Sequence, residues 1–440
     1  MSTAPLNPLA VAANDALKKD CPVVFEMLSE RGKRFFFPAK GILAQGAEAK
    51  QKAKTANATV GIATENGAPM HLPCIAKYFT GLTPSEVFDY APSYGKPELR
   101  TAWTKKQRSE MPNLGDHPIS NPVATNALTH GLGLVGDLFI DPGTQLLSSE
   151  LMWENYNLNW ETRLEGQFNY FPFFDEKLTA FNVKGFSEAL AKHRGKKLVV
   201  SLNFPNNPSG YTPTKAESKA IADALTAEAE AGTKLVVCVD DAYYGMFFDD
   251  ACETESLFAR LAKASTNLLA VKVDGATKEE FVWGLRVGFV TFGIKNGTAA
   301  AYKALEDKTA GIIRSYVSNI SQPGQSVVLK AINDPEFRKQ QAEKVAVLRG
   351  RAAVTAKECR KAEYADAWDV YPFNSGYFMC LRLKGADADA VRVRMLDDSG
   401  VGAIALGKSE LRIAFSCLTE AQIPAVFEAV AKAVRAVRGK

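Results

Sequence analysis

The sequence predicts an α/β protein in which helices flank a mostly parallel sheet, with a smaller α+β domain beside it. Between about residues 95 and 326, short apolar runs alternate with longer amphipathic stretches. Parallel strands joined by helices produce this alternation. The last third begins with a long helical pattern and ends with two strand patterns and an amphipathic helix. That arrangement indicates a second, α+β unit.

The individual elements follow from these patterns in chain order. The Ala- and Lys-rich N-terminal stretch predicts one helix near Val23–Arg31. The central region predicts a helix at Lys215–Ala231 and strands at Leu198–Asn203, Leu235–Val239, Leu268–Val273 and Phe289–Phe292. The last third predicts helices at Pro335–Ala362 and Glu420–Val437 and strands at Tyr377–Leu383 and Leu411–Phe415. We predict that residues 91–325 form the large domain, and that residues 1–90 join a small domain formed by residues 326–440.

Composition excludes several classes of protein. The chain has 440 residues, of which 46% are hydrophobic and 23% charged, and its formal net charge is +4. No basic block suggests nucleic acid, no apolar stretch is long enough for a membrane span, and the N-terminus lacks a signal-peptide pattern. Seven cysteines are scattered without a CxxC pair or a Cys/His cluster. We therefore expect a cytoplasmic protein with reduced thiols and no metal site.

Polar segments follow three of the predicted strands. Asn203–Gly210 follows the first, Asp240–Gly245 the second and Asp274–Lys278 the third, and Gly284–Gly288 comes soon after. Each segment alone is a weak signal, because Asn, Pro and Gly are common in turns and Asp at strand ends. Ligands of such sheets bind outside the carboxyl ends of the strands, so these segments are candidates for one shared site.

In this order and spacing, the segments resemble the fold-type I, pyridoxal-phosphate-dependent aminotransferases of class I/II, and within them the aspartate/aromatic aminotransferase group. The resemblance extends from about Asn57 to Phe415. It implies a pyridoxal-phosphate-dependent transferase fold with a seven-stranded sheet in the large domain. It also implies pyridoxal 5′-phosphate as the cofactor and a homodimer whose two subunits share their active sites.

The resemblance implies roles for five residues around the cofactor. Lys278 matches the lysine that forms the Schiff base with the cofactor aldehyde, and Asp240 the carboxylate that pairs with the pyridine nitrogen. Tyr243 and Asn207 match the two donors to the O3′ atom, and Arg286 matches the phosphate-binding arginine. A buried carboxylate that keeps the pyridine protonated makes the ring an electron acceptor. An arginine presents a planar fork that suits phosphate oxygens.

Further matches concern the phosphate and the cofactor ring. The start of an apolar helix resembles the family's phosphate cradle, with backbone N–H groups and one hydroxyl supplied by Ala127, Leu128 and Thr129. Trp153 resembles the indole that stacks on the cofactor ring and borders the substrate. Tyr90 resembles the tyrosine that reaches the phosphate of the neighbouring subunit.

For the substrate, the resemblance implies that Arg412 holds the α-carboxylate through a bidentate pair. Gly61 matches the segment that closes over the substrate near this carboxylate, and Asn207 and Trp153 are implied as further substrate contacts. Arg314 can be aligned with the arginine that binds a distal carboxylate across the dimer interface. An ordinary surface or structural arginine is the alternative interpretation of Arg314.

The sequence departs from the family pattern at two further positions near the cofactor. Gly275 stands where the family usually has a phosphate-binding serine. Either Thr277 supplies a hydroxyl from another position, or the phosphate is held less tightly. Tyr156 stands where aspartate-type enzymes have a histidine, so a different side chain backs Asp240.

The resemblance implies a transaminase that moves an amino group between an acidic or aromatic L-amino acid and a 2-oxo acid such as 2-oxoglutarate. Two alternatives stay open at this point. A β-lyase or decarboxylase would keep the fold and the cofactor, and a regulator would bind the cofactor without turnover. Amino-acid and 2-oxo-acid substrates are the expected partners, with no nucleic acid and no membrane.

Overall fold

A seven-stranded mixed sheet lies at the centre of the chain, in a computed structural model that describes residues 5–38 and 41–439. In chain order the strands of the described residues are β1 Ala56–Asn57, β2 Thr64–Glu65, β3 Ala68–Pro69, β4 Val123–Asn126, β5 Gln145–Ser149, β6 Gln167–Phe171, β7 Lys197–Asn203, β8 Lys234–Asp240, β9 Leu268–Asp274, β10 Val287–Ile294, β11 Trp368–Val370, β12 Phe378–Leu383, β13 Val401–Gly402, β14 Ile404–Leu406 and β15 Glu410–Ala414.

Helices cover the sheet and connect its strands. In chain order they are α1 Pro8–Asp20, α2 Pro22–Met27, α3 Ile42–Lys52, α4 Pro73–Ala76, α5 Pro84–Phe88, α6 Pro97–Glu110, α7 Ala127–Phe139, α8 Val183–Ala191, α9 Lys215–Glu230, α10 Phe258–Leu261, α11 Ala276–Glu279, α12 Ala299–Tyr316, α13 Gln322–Ile332, α14 Phe337–Glu358, α15 Ala388–Ser399 and α16 Ile423–Arg438. None of these helices is long and apolar enough to cross a membrane in the described part of the chain.

The strand order of the central sheet is β4-β10-β9-β8-β7-β5-β6. Strand β10 runs antiparallel to both of its neighbours, whereas β9, β8, β7, β5 and β6 are parallel to one another. The predicted mostly parallel, helix-flanked sheet is therefore confirmed. Every residue of β7 and β8 after the first lysine is buried. These strands have mostly apolar sequences because helices bury both faces of the sheet.

The predicted elements agree with the structure to within a few residues, except near the N-terminus. The helix predicted at Val23–Arg31 is shorter, because α2 ends at Met27 and Leu28 adopts an extended conformation. None of the residues of α2 is buried, so no tertiary packing extends this short helix. Helix α14 begins at Phe337 and ends at Glu358, inside the predicted range of 335–362.

A four-stranded antiparallel sheet with the order β11-β12-β15-β14 forms the C-terminal part. Helix α16 packs one side against this part, and its buried residues include Val426, Phe427 and Val430. The short strand β1 pairs in parallel with β13, so an N-terminal segment joins the C-terminal part. The domain boundaries at residues 90 and 325 stay a prediction.

Candidate active site

A cavity of about 820 Å³ opens at the carboxyl ends of β7 and β8. Asn203 and Asp240 are the last residues of these strands and are paired in register, so parallel pairing places both at one edge of the sheet. We call this space the central cavity. Its lining includes most of the residues predicted for the site, namely Gly61, Ala127, Leu128, Thr129, Trp153, Asn207, Asp240, Tyr243, Thr277, Lys278, Arg286 and Arg412.

Asp240 is a buried carboxylate that hydrogen bonds hold in place. Its Oδ1 accepts a bond from the backbone N–H of Ala242 at 3.0 Å, and its Oδ2 accepts one from the hydroxyl of Tyr156. Burial raises the pKa of Asp240 to about 6, although the Tyr156 bond and the charge of Lys278 oppose that rise. Tyr156 therefore backs Asp240 directly, at the position where a histidine is usual in aspartate-type relatives.

Lys278 lies near the end of the one-turn helix α11, with its Nζ 4.7 Å from the ring centroid of Tyr243. The hydroxyl of Tyr377 donates a bond to the carbonyl oxygen of Lys278 at 3.2 Å, and the next residue, Glu279, accepts a bond from Lys106 at 2.6 Å. Burial lowers the pKa of Lys278 to about 8, while the carboxylate of Asp240 opposes this. At pH 7 about a tenth of the amine is therefore neutral, and thus nucleophilic.

A chain of hydrogen bonds connects Arg412 to the backbone of Asp240. The guanidinium of Arg412 donates to Oδ1 of Asn207 at 3.0 Å, and the backbone N–H of Asn207 donates to Oδ1 of Asn203 at 2.8 Å. The side-chain amide of Asn203 in turn donates to the carbonyl oxygen of Asp240 at 2.9 Å. Tyr243 lies buried beside this chain. One network of hydrogen bonds therefore connects the side chains of Arg412 and Asn207 to the backbone at the end of β8.

The start of α7 and the loop before β10 are bonded to each other. The backbone N–H of Ala127 donates to the carbonyl oxygen of Arg286 at 2.9 Å, and both residues have a left-handed backbone, with φ of 61° and 54°. The N–H groups of Leu128 and Thr129 lie in the first turn of α7 and therefore have no intrahelical partner. No side chain of the described residues caps this helix. An uncapped helix N-terminus beside an arginine is a ready anion site.

Packing around residue 275 excludes the phosphate-binding serine that the family pattern has there, and Thr277 carries a buried hydroxyl. A Cβ atom at residue 275 would lie 2.6 Å from both the Cα of Gly288 and the carbonyl oxygen of Val287, so a serine does not fit there. The Oγ1 of Thr277 is buried and has no hydrogen-bond partner among residues 5–38 and 41–439. Because a buried hydroxyl without a partner is costly, its position in the cavity lining suits an anionic ligand.

Arg412 is a buried guanidinium without a carboxylate partner. It is 2% exposed, and no Asp or Glu oxygen of the described residues lies within 4.0 Å of its nitrogens. One NH2 group donates to the carbonyl oxygen of Thr59 at 3.2 Å, the Nε has no partner in the described part of the chain, and the guanidinium lies 4.2 Å from the ring centroid of Phe378. Buried charges are normally paired, so this arrangement predicts an anionic ligand in the central cavity.

Trp153 and Gly61 border the same cavity from two other segments. Trp153 is half-buried and packs edge-on against Tyr156, with ring centroids 5.9 Å apart. Gly61 is exposed and belongs to the segment that also contributes Thr59 to Arg412.

Two predicted residues do not line the cavity of their own subunit. Tyr90 is 90% exposed on the surface. Arg314 is exposed near the end of α12, where its guanidinium donates to the hydroxyl of Ser318. A role for either residue at an active site therefore requires a neighbouring copy of the chain.

The motifs did not identify two parts of the cavity wall. These are Trp283, whose buried Nε1 has no partner among the described residues, and one face of α3. Trp283 lies three residues before Arg286 and directly precedes the segment Gly284–Gly288. The face of α3 carries no polar motif, so no sequence signal marked it.

The donor set fits pyridoxal 5′-phosphate. Leu128, Thr129, Thr277 and Arg286 would hold the phosphate, and Asp240 would face the pyridine nitrogen. Tyr243 and Asn207 would face O3′, with Lys278 at the aldehyde. The orphaned hydroxyl of Thr277 and the uncapped start of α7 are the observations that favour a phosphate group.

Comparison with known proteins identifies the family to which the chain belongs. A family model described as aminotransferase class I and II matches residues 62–430. The cytoplasmic aspartate aminotransferase of Saccharomyces cerevisiae is 26% identical over 203 residues, which cover 45% of this chain and 47% of the relative. A probable aspartate/prephenate aminotransferase of Aquifex aeolicus is 26% identical over 260 residues, 57% of each chain. The chain thus spans about half the length of the curated relatives it matches.

Solved structures share the fold over nearly the whole chain. An aminotransferase from Anaerococcus prevotii superimposes with a TM-score of 0.80 at 21% identity, covering 92% of this chain and 98% of that one. A single mutant of Thermus thermophilus aspartate aminotransferase gives 0.73 at 19% identity, covering 92% and 99%. Because the family match extends over most of the residues and includes the central cavity's Lys278, Asp240 and Arg412, the chain belongs to the class I and II aminotransferases, a family of pyridoxal-phosphate enzymes.

Proposed function

We propose that the protein is a transaminase that moves an amino group between an L-amino acid and a 2-oxo acid. The observation that carries the proposal is Arg412, a buried guanidinium without a carboxylate partner in the described chain, in the same cavity as Lys278 and Asp240. Family membership alone does not fix a reaction, because one fold supports many activities. An unpaired cation beside a nucleophilic lysine is what an amino-acid substrate requires.

The side chains divide the chemistry among them. Bound pyridoxal phosphate supplies a ring that accepts electrons from the substrate carbon. Asp240 would hold a proton at the pyridine nitrogen, while Tyr243 and Asn207 would donate to O3′. The amine of Lys278 would accept the proton that leaves the substrate Cα. Its lowered pKa, about 8, keeps part of the amine neutral for this step.

Acidic and aromatic amino acids, with 2-oxoglutarate as acceptor, are the proposed substrates. Two relatives are named for aspartate and for aspartate/prephenate, which supports this choice. Arg412 supplies the site for the α-carboxylate that all such substrates share. The predicted role of Arg314 at a distal carboxylate requires a second subunit, because this residue lies outside the lining of its own cavity.

We propose that two copies assemble into a cytoplasmic dimer. Strongly exposed apolar side chains support assembly, because association removes apolar surface from water. They include Met27, Phe37, Phe88 and Tyr90, with exposures between 70% and 90%. Light scattering of the purified protein tests the dimer, and a monomeric mass at micromolar concentration contradicts it.

The activity is tested with a panel of amino-acid donors and 2-oxoglutarate, using protein reconstituted with pyridoxal phosphate. We expect glutamate to form from 2-oxoglutarate with acidic or aromatic donors, and Lys278→Ala to abolish both the turnover and the absorbance band of the covalently bound cofactor. Pyruvate and ammonia produced without an acceptor would indicate a β-lyase instead. A bound cofactor whose spectrum no donor changes would indicate a non-catalytic regulator.

A further inference from the structure

Helix α3 forms one wall of the central cavity. The lining residues of this helix are Ile42, Leu43, Gly46, Ala47 and Lys50. Steps of three and four residues separate neighbours along one face of a helix, so these side chains form a single stripe. The helix is held at its start by the bond from the N–H of Ile42 to Oε1 of Glu154 at 3.0 Å, next to Trp153. This bond fixes the start of the stripe in the cavity wall.

Lys50 is a cation without an acidic partner. Within residues 5–38 and 41–439, no carboxylate oxygen lies within 4.0 Å of its Nζ, and its side chain forms no hydrogen bond. Lys52, two residues along, instead pairs with Glu48 at 2.8 Å. Glu48 also binds Arg392 at 2.8 Å, so the acidic residue of this helix is engaged away from Lys50. Lys50 is free to meet a ligand anion.

A charge inventory of the cavity leaves Lys50 without an assigned anion. The described lining contains four basic residues, Lys50, Lys278, Arg286 and Arg412, and one acidic residue, Asp240. Under the proposed function, Arg286 takes the phosphate, Arg412 the α-carboxylate and Lys278 the cofactor aldehyde. An amino acid with a second carboxylate would complete the charge balance.

We propose that Lys50 of the same subunit binds the distal carboxylate of dicarboxylic amino acids and 2-oxo acids. This inference rests on the proposed transaminase function and assigns its side-chain specificity. Ile42 and Leu43, on the same stripe, provide apolar surface for the substrate methylenes or for an aromatic ring. A lysine has a flexible stem and a hydrated head, so it can turn toward solvent when an uncharged side chain enters. One cavity then accepts both acidic and aromatic substrates.

Binding of unreactive acids to the reconstituted holoenzyme tests the proposal without turnover. Succinate carries two carboxylates and butanoate carries one, on chains of the same length. We expect Lys50→Met to raise the Kd of succinate about fivefold, the upper end for an exposed ion pair, and to change the Kd of butanoate less than twofold. Lys50→Arg should restore most of the succinate affinity. Lys52→Met is the matched control on the same helix, and it should leave the Kd of both acids unchanged.

Two results would overturn the proposal. In the first, Arg314→Ala weakens succinate while Lys50→Met does not, which would place the distal carboxylate on the neighbouring subunit. In the second, wild-type protein binds succinate no more tightly than butanoate. Failure of the proposed function is visible separately, because wild-type holoenzyme would then release no oxo acid from any donor, whatever its succinate affinity.

Discussion

Thr277 provides a sharp test of how the chain holds its cofactor. Thr277→Val preserves the shape of the side chain and removes a hydroxyl that has no hydrogen-bond partner in the described residues. The substitution removes an unsatisfied buried group, so the free energy of unfolding of the apoprotein should not fall. It should stay the same or rise by at most about 3 kcal/mol. The holoenzyme should lose a hydrogen bond to a charged phosphate, about 1.5–3 kcal/mol, which raises the Kd of pyridoxal phosphate about 10- to 150-fold.

The assay measures both quantities on the same protein. Urea unfolding of the apoprotein gives the free energy, and quenching of tryptophan fluorescence by added pyridoxal phosphate gives the Kd. Thr291→Val is a matched control, because Thr291 is also fully buried but accepts a bond from Gln107 at 3.1 Å. That substitution should lower the free energy of unfolding by about 1–3 kcal/mol and leave the Kd unchanged.

Gly275→Ser completes the test by restoring the residue that the family pattern has at this position. Its Cβ would lie 2.6 Å from backbone atoms of Val287 and Gly288, so overpacking should cost about 1–3 kcal/mol of stability. It should not recover the affinity lost in Thr277→Val. Two results would contradict the role of Thr277. In the first, Thr277→Val destabilises the apoprotein and leaves the Kd of pyridoxal phosphate unchanged. In the second, the double variant Gly275→Ser/Thr277→Val binds the cofactor as tightly as wild type.

Three further predictions concern the other side chains of the central cavity. Arg412→Met should raise the KM for amino-acid donors at least about 30-fold, because the substrate carboxylate loses its buried partner. The absorbance of the bound cofactor should persist, and an unchanged KM in steady-state assays would contradict the assignment. Tyr156→Phe should raise the pKa of Asp240 above its value of about 6, by about one to two units, because the lost donor stabilises the carboxylate. The midpoint of a pH titration of the cofactor absorbance should therefore be higher in the variant than in wild type. Equal midpoints in the two proteins would contradict the role of Tyr156. The rate at which apoprotein captures pyridoxal phosphate should rise with pH and level off above about 8, where Lys278 becomes neutral; stopped-flow rates that keep rising to about pH 10 would show an unperturbed lysine.

Much of the fold could be predicted because burial on both faces makes β7 and β8 continuous apolar runs. The polar residues at their ends, Asn203 and Asp240, could be assigned to one site because parallel strands place their carboxyl ends together. The helix predicted at Val23–Arg31 was partly wrong, because a local pattern cannot show that α2 buries no residue and ends at Met27.

The walls of the site were harder to predict because they depend on contacts between distant segments. Ile42 bonds to Glu154, which lies 112 residues along the chain, and this contact brings α3 and Lys50 to the cavity. Its stripe of Ile, Leu, Gly, Ala and Lys resembles an ordinary surface helix. The exclusion of a serine at residue 275 depends on the approach of Gly288, which no spacing in the sequence reveals.

A single-turnover measurement tests whether the protein is a transaminase. Reconstituted protein is mixed with excess aspartate or phenylalanine and no oxo acid, and the 2-oxo acid released per subunit is counted while the cofactor absorbance is followed. We predict about one equivalent, accompanied by loss of the band of the covalently bound cofactor, and none from Lys278→Ala. Repeated release of product without an acceptor, or no release with any donor, would contradict it.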